Sequence, residues 1–151
     1  MRFYTHLAFG IIIASLFTKP PWLVIASGFF ALIPDIDAAG SFIGKRLPLI
    51  SGSVQLLLGH RGIIHSLLAA IAAAGIAYVI MPALALPAMV GFCSHLALDM
   101  LTPEGVSLFY PLSSKRVRGP IRTGGIIEAA ILIILVFLLG HWTLDILGQH
   151  I

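Results

Sequence analysis

Apolar residues arrive in five blocks separated by proline, glycine or charge. The first runs from Phe3 to Phe17 and is closed by Lys19-Pro20-Pro21, a combination that forces a turn. The second, Trp22 to Ile33, stops at Pro34, and the third, Ile63 to Ile80, stops at Met81-Pro82. A fourth block from about Leu84 to Leu101 ends at Thr102-Pro103, and a fifth from Ile126 to about Leu139 passes into a mixed tail ending at Ile151. Blocks this continuous predict helices. The first two are shorter than the roughly 20 residues that cross a bilayer comfortably. Their polar ends are therefore expected inside the membrane, or the bilayer must thin around them. The third is rich in alanine and glycine (Ala69, Ala70, Ala72, Ala73, Ala74, Gly75, Ala77), and small residues let helix backbones approach closely in lipid, so it is expected at the centre of the bundle.

Two longer connections remain. Residues 38–59 carry Lys45, Arg46 and Pro48 and then the apolar stretch Val54–Leu58, which reads as a short helix lying in the interface. Residues 103–125 carry Lys115, Arg116, Arg118 and Arg122 beside Phe109 and Tyr110. No internal repeat or low-complexity tract is evident.

Composition sharpens this picture. Of 151 residues, 59% are hydrophobic and 10% charged, whereas soluble domains are about a quarter charged. The mean hydropathy is +1.05. Too little polar surface remains to cover a water-soluble body. The expectation is an all-α, polytopic bundle of about five transmembrane helices forming one membrane-embedded domain, residues 1–151. The first block has the length of a signal sequence, but no small-x-small site follows it, so it reads as a retained helix. The single cysteine, Cys93, excludes an internal disulfide and reads as a small buried apolar residue.

Charge then sets the sides. Segments joined by short turns alternate in direction, which places Arg2, Lys45, Arg46, Arg61, Lys115, Arg116, Arg118 and Arg122 on the side of the N-terminus and only Lys19 on the other. Lysine and arginine stay cytoplasmic in membrane proteins. The expectation is a multi-pass membrane protein with its N-terminus in the cytoplasm and its C-terminus, with His141, Asp145 and His150, outside.

The same alternation gathers chemistry into one layer. His6 opens the first segment, Asp35 and Asp37 follow the second, and His60 and His65 flank the start of the third. His95 and Asp99 end the fourth, and Glu128 begins the fifth. All eight fall on the cytoplasmic side. An ionisable group at mid-membrane costs roughly 2.5–3.5 kcal/mol, so its presence calls for a role. His95 and Asp99 are four apart and share one helical face, while Asp35 and Asp37, in an extended stretch, point the same way. Gly59 and Gly62 suggest that His60 sits on the entering loop and His65 on the helix proper. Four histidines and three aspartates form an N/O donor set suited to zinc first, with manganese or iron as alternatives. They exceed the ligands of one structural zinc, which points to one or two ions with additional proton-handling groups. Taken singly, each residue also has an ordinary reading: an interfacial histidine, a helix-packing hydrogen bond, a helix stop at Asp35, an acid at a helix N-terminus for Glu128, lipid-headgroup contacts for residues 115–122.

The ordered set Thr5-His6, Pro34-Asp35-Ile36-Asp37, His60-Arg61-Gly62-x-x-His65-Ser66, Ser94-His95-x-x-x-Asp99 and Thr102-Pro103-x-Gly105 resembles the YdjM-like family over nearly the whole chain. These are bacterial and archaeal inner-membrane proteins described as metal-dependent hydrolases, and the family label also mentions LexA. The resemblance implies ligand roles for His6, Asp35, Asp37, His60, His65, His95 and Asp99. It also places Glu128, after Thr123-Gly124-Gly125, where such proteins often carry a glutamate. The His/Asp pattern is distantly similar to zinc-dependent phospholipase C, which favours phosphoesters.

These readings lead to a metal-dependent hydrolase acting on a lipid-derived phosphoester or ester at the cytoplasmic leaflet. The metal activates water and polarises the ester oxygen, Asp37 or Glu128 accepts a proton, and Arg61 stabilises developing charge. Membrane lipids and a lipid-like or phosphate-bearing substrate are the expected partners, and a homo-oligomer is compatible with the sequence. Direct nucleic-acid binding is not expected, because four charges at 115–122 come without a recognition element. The rival readings are a structural or regulatory metal site, and a metal transporter. The latter is disfavoured because Ala69–Ile80 and Leu84–Phe92 contain no acid or histidine.

Overall fold

The computed structural model describes residues 1–37, 40, 41, 44–46, 49, 52, 53 and 62–148. Five α-helices carry the architecture: α1 (Phe3–Ser15), α2 (Pro21–Phe30), α3 (Leu67–Ile80), α4 (Ala85–Met100) and α5 (Ile126–Gly148). Short 3₁₀ turns lie at Ile33–Asp37, Ile63–His65 and Pro82–Leu84. The apolar segment Val54–Leu58 lies outside the described residues. Proline opens α2 in its first turn, where a missing N–H costs no helical bond. Ser66 caps α3 by accepting the Ala69 N–H at 3.3 Å. That cap starts the helix after His65 and leaves His65 in the preceding turn, not on the helix proper as the sequence suggested.

The centre of the bundle is α4, which packs against α1, α2 and α3. The alanine-rich α3 was expected there. Its helical partner is α4, and its other face exposes Ile71, Ile76 and Val79, with open space around Gly75. Small residues permit close approach without saying from which side a neighbour comes. The closest approach occurs instead at Gly91 of α4, where a Cβ would lie 2.1 Å from the Ser27 carbonyl oxygen of α2. Phe92 and Leu96 of α4 form a core with Ala70 of α3 and Val106 of the following connection. That connection folds back on itself and on the bundle. Val106 and Val117 pair as an isolated bridge, Leu108 accepts the Leu67 N–H at 2.9 Å, and Thr102 accepts the Gly119 N–H at 3.0 Å.

Helix length qualifies the five-span expectation. At 1.5 Å per residue α1 and α2 rise only about 20 and 15 Å, short of a hydrocarbon core near 30 Å. Among the described residues two helical stretches, Pro82–Met100 and Ile126–Gly148, are long and apolar enough to cross a membrane. The second continues well past Leu139, where the sequence suggested that the helix gives way to a tail. His141 and Asp145, one turn apart, pair at 3.1 Å on its exposed face. Only Glu128 and Leu135 are buried along α5. A helix apolar all round with so little of it covered by protein is suited to lipid.

Candidate metal centre

Four elements deliver side chains to one buried point. His6 comes from the first turn of α1, Asp35 from the turn after α2, His65 from the turn before α3, and His95 and Asp99 from the last two turns of α4. His6, His65, His95 and Asp99 are almost fully buried, and Asp35 is half-buried. His95 Nε2 lies 3.3 Å from His65 Nε2, 3.7 Å from Asp99 Oδ2 and 4.0 Å from Asp35 Oδ1. His65 Nε2 is 3.8 Å from Asp99 Oδ2, and His6 Nε2 is 3.4 Å from Asp99 Oδ1. The His6 and His95 rings stack, centroids 3.8 Å apart.

These spacings suit a metal. Donors at 2.0–2.2 Å from a tetrahedral zinc stand about 3.4 Å from one another. Two triads, His6/Asp35/His95 and His65/His95/Asp99, each place one donor atom per residue within 4.8 Å of the others. His95 belongs to both. Its Nδ1 lies 2.7 Å from the Ala31 carbonyl oxygen, to which it donates, and this selects the tautomer with a lone pair on Nε2. One lone pair serves one ion, so the triads describe either a single ion with alternative donors or two ions of which His95 binds one. Asp99 faces both sides, Oδ1 toward His6 and Oδ2 toward His65 and His95. The Met1 ammonium, 2.8 Å from Asp99 Oδ1, offsets the buried carboxylate.

His6 supplies an independent test of fit. Neither of its ring nitrogens has a hydrogen-bond partner among the described residues, although both are buried. The 3.4 Å approach of Nε2 to Asp99 lacks hydrogen-bond alignment. Buried polar atoms are ordinarily satisfied, and an imidazole lone pair directed into a carboxylate and imidazole cluster matches a metal ligand. The donor set, nitrogen and oxygen without sulfur, suits zinc, manganese or iron.

Glu128 enters the layer in a different capacity. Its Oε1 accepts the Arg2 N–H at 2.6 Å and the Thr5 hydroxyl at 3.0 Å, and its Oε2 accepts the Gly124 N–H. The carboxylate thereby ties the start of α1, and with it His6, to the start of α5. Gly124 sits at φ +77°, a conformation that favours glycine, and a Cβ there would come 3.1 Å from Arg2 Nη2. The Thr123-Gly124-Gly125 motif thus makes room for the Arg2 guanidinium. Sequence reading missed the Ala31 carbonyl and the Arg2 and Gly124 N–H groups, because main-chain partners leave no residue-type signal. Of the remaining expected residues, His60 and Arg61 lie outside the described residues. Asp37 ends the 3₁₀ turn that carries Asp35.

The sequence profile of the family described as YdjM inner membrane protein matches residues 1–148. The chain belongs to this family. It is 44% identical over 98 residues to "Inner membrane protein YdjM" of Escherichia coli (strain K12), a match covering 60% of this chain and 50% of that protein, and a Shigella flexneri protein of the same name matches equally. It is 40% identical over 117 residues to "Uncharacterized protein YvsG" of Bacillus subtilis (strain 168), covering 74% of this chain and 72% of the relative. The match to the two YdjM proteins thus spans about half their length. No solved structure matches the chain significantly.

Proposed function

We propose that this YdjM-family protein is a membrane-bound metal-dependent hydrolase acting on a phosphoester or ester at the cytoplasmic leaflet. The observation that carries the reading is the convergence of five nitrogen and oxygen donors, four of them buried, from four separate elements. His6, Asp35, His65, His95 and Asp99 hold the metal, zinc first, with His60 and Asp37 as further ligands implied by the family pattern. When bound, the metal supplies Lewis-acid chemistry toward the ester oxygen. Glu128 is committed to three donors, which leaves Asp37 the better group to take a proton and Arg61 to meet developing negative charge. A structural site needs ligands alone. A hydrolase also needs access, and Asp35 lines a cavity of about 500 Å³ that reaches the surface.

The test is metal analysis of purified protein combined with a panel of phosphoester and acyl-ester substrates. Bound divalent metal with turnover that chelation abolishes and metal restores is the expected result. Bound metal with no cleavage across the panel would replace the hydrolase by a structural site.

The proposed topology is multi-pass, with the cytoplasmic side holding eight of the nine lysines and arginines. A reporter fused behind α5 should then read as external, and one placed in residues 103–125 as cytoplasmic. Cytoplasmic activity behind α5 would overturn either the orientation or the odd number of crossings.

A further inference from the structure

The connection between α4 and α5 is built more firmly than a linker needs. Val106 and Val117 exchange backbone hydrogen bonds at 3.0 and 2.9 Å, and the Ile121 N–H reaches the Leu101 carbonyl at 2.8 Å. The Tyr110 and Ser113 N–H groups bond the Ser107 and Phe109 carbonyls at 3.1 and 3.0 Å, which folds the tip between the two arms. Gly105, at φ +62°, lets the arms lie together, for a Cβ there would come 2.2 Å from the Val117 carbonyl oxygen. The root of this hairpin is buried at Thr102, Val106 and Ser107. Leu108 accepts the N–H of Leu67, so the tip starts one residue from the first turn of α3.

The tip and the return arm present two kinds of surface. Leu112 is 94% exposed and Phe109 61%, and Lys115, Arg116 and Arg118 stand exposed directly behind them. The sequence holds too few acids to neutralise that arm. Between the two helices Glu104 is the one acid against Lys115, Arg116, Arg118 and Arg122, and residues 38–61 contain none. Elsewhere Asp35 and Asp99 belong to the metal cluster, and Asp37 ends the turn that carries Asp35. Glu128 is bound to Arg2, Thr5 and Gly124, and Asp145 pairs with His141 far along α5. Exposed cations alone suit any polyanion. The apolar tip decides between them. A phenyl ring can stack on an unpaired base, but an isolated leucine has no such partner on a nucleic acid. Both side chains match the boundary between headgroups and acyl chains, where apolar groups insert while lysine and arginine meet anionic headgroups. The position agrees, because α3 exposes Leu68 and Ile71 immediately after the residue that Leu108 holds.

We propose that residues 106–118 form a hairpin that docks on the anionic cytoplasmic leaflet. Phe109 and Leu112 insert beneath the headgroups, and Lys115, Arg116 and Arg118 meet the headgroup phosphates. The proposal uses the membrane setting and the topology above and is independent of the hydrolase reading, since neither metal nor turnover enters its test. Full-length protein is placed in nanodiscs of phosphatidylcholine with or without phosphatidylglycerol. Phe109→Trp in a Trp22→Phe/Trp142→Phe background gives a single tryptophan at the tip, and quenching by lipids brominated in the acyl chain reads its insertion. Native mass spectrometry reads which lipid is retained.

The tip tryptophan should be quenched by brominated chains, more strongly with phosphatidylglycerol present, and phosphatidylglycerol should be retained over phosphatidylcholine. Lys115→Gln/Arg116→Gln/Arg118→Gln should weaken phosphatidylglycerol retention at least ~10-fold, because each cation at an anionic surface contributes about fivefold. Its unfolding midpoint in phosphatidylcholine alone should stay that of the wild type, which separates lost docking from lost fold. Lys19→Gln, at the opposite end of α1, should change retention less than about twofold. A tip tryptophan quenched by aqueous iodide and not by brominated chains overturns the docking. So does wild-type retention in the triple variant, or an equal loss in Lys19→Gln. Binding of an oligonucleotide that the triple variant loses, with no quenching from the lipid side, overturns the leaflet and gives the hairpin to nucleic acid.

Discussion

His95→Ala is expected to lower metal affinity by at least about 100-fold, the upper range for disrupting the groups around a metal site, and to abolish any hydrolysis with it. The expectation follows from geometry. His95 is the residue common to both candidate triads, and its Nε2 lies within 4.0 Å of His65, Asp35 and Asp99 alike. Its loss also removes the stacking partner of His6 and the donor to Ala31, so the remaining donors lose their orientation as well as one of their number. Metal content by elemental analysis, with competition against a chelator of known affinity, reads the effect. His141→Ala is the matched control, because that histidine pairs with Asp145 on the exposed face of α5. Stoichiometric, tightly held metal in His95→Ala would show that binding does not depend on the residue common to both triads and would overturn the centre as described.

How much of this was legible in the sequence depends on what kind of signal each feature leaves. The gathering of His6, Asp35, His65, His95 and Asp99 follows from alternation of direction alone, which needs only segment ends and turns. The four-residue spacing of His95 and Asp99 fixes their common face on any helix. Which helix lies at the centre is another matter. Composition pointed to the alanine-rich α3, but the decisive contact is one glycine, Gly91, against the backbone of α2. A single close approach is invisible in a count of small residues. The position of His65 turned on a local competition, the Ser66 cap against continuation of the apolar run. The extent of α5 was underread because the polar residues beyond Leu139 suggested an end, whereas His141 and Asp145 are spaced to pair along one helix. The cavity beside Asp35 was missed for a different reason. Arg2, Lys45 and Arg46 were read as topology determinants, and their meeting beside Asp35 depends on tertiary contacts between the start of α1 and residues far along the chain.

Glu128→Gln separates two accounts of the one carboxylate that enters the layer from α5. If Glu128 is the anchor described above, the substitution fails on hydrogen bonding. The carboxylate accepts from Arg2 and Thr5 on one oxygen and from Gly124 on the other, whereas a glutamine offers a single accepting oxygen and turns an NH₂ toward a donor. At least one part-buried N–H then loses its acceptor and the others lose charge assistance, a cost of about 2–4 kcal/mol. Glu128→Ala strands all three donors and should cost more. Because Arg2 and Thr5 flank the approach of His6, metal affinity should fall along with stability in both variants. The measurement is the thermal unfolding midpoint in detergent, taken beside metal content. A lowered midpoint with weakened metal in Glu128→Gln, deepened in Glu128→Ala, supports the anchor and leaves proton transfer to Asp37. An unchanged midpoint with full metal and no turnover would make Glu128 the proton acceptor instead, since only a group reacting with the substrate could be lost without disturbing either fold or metal.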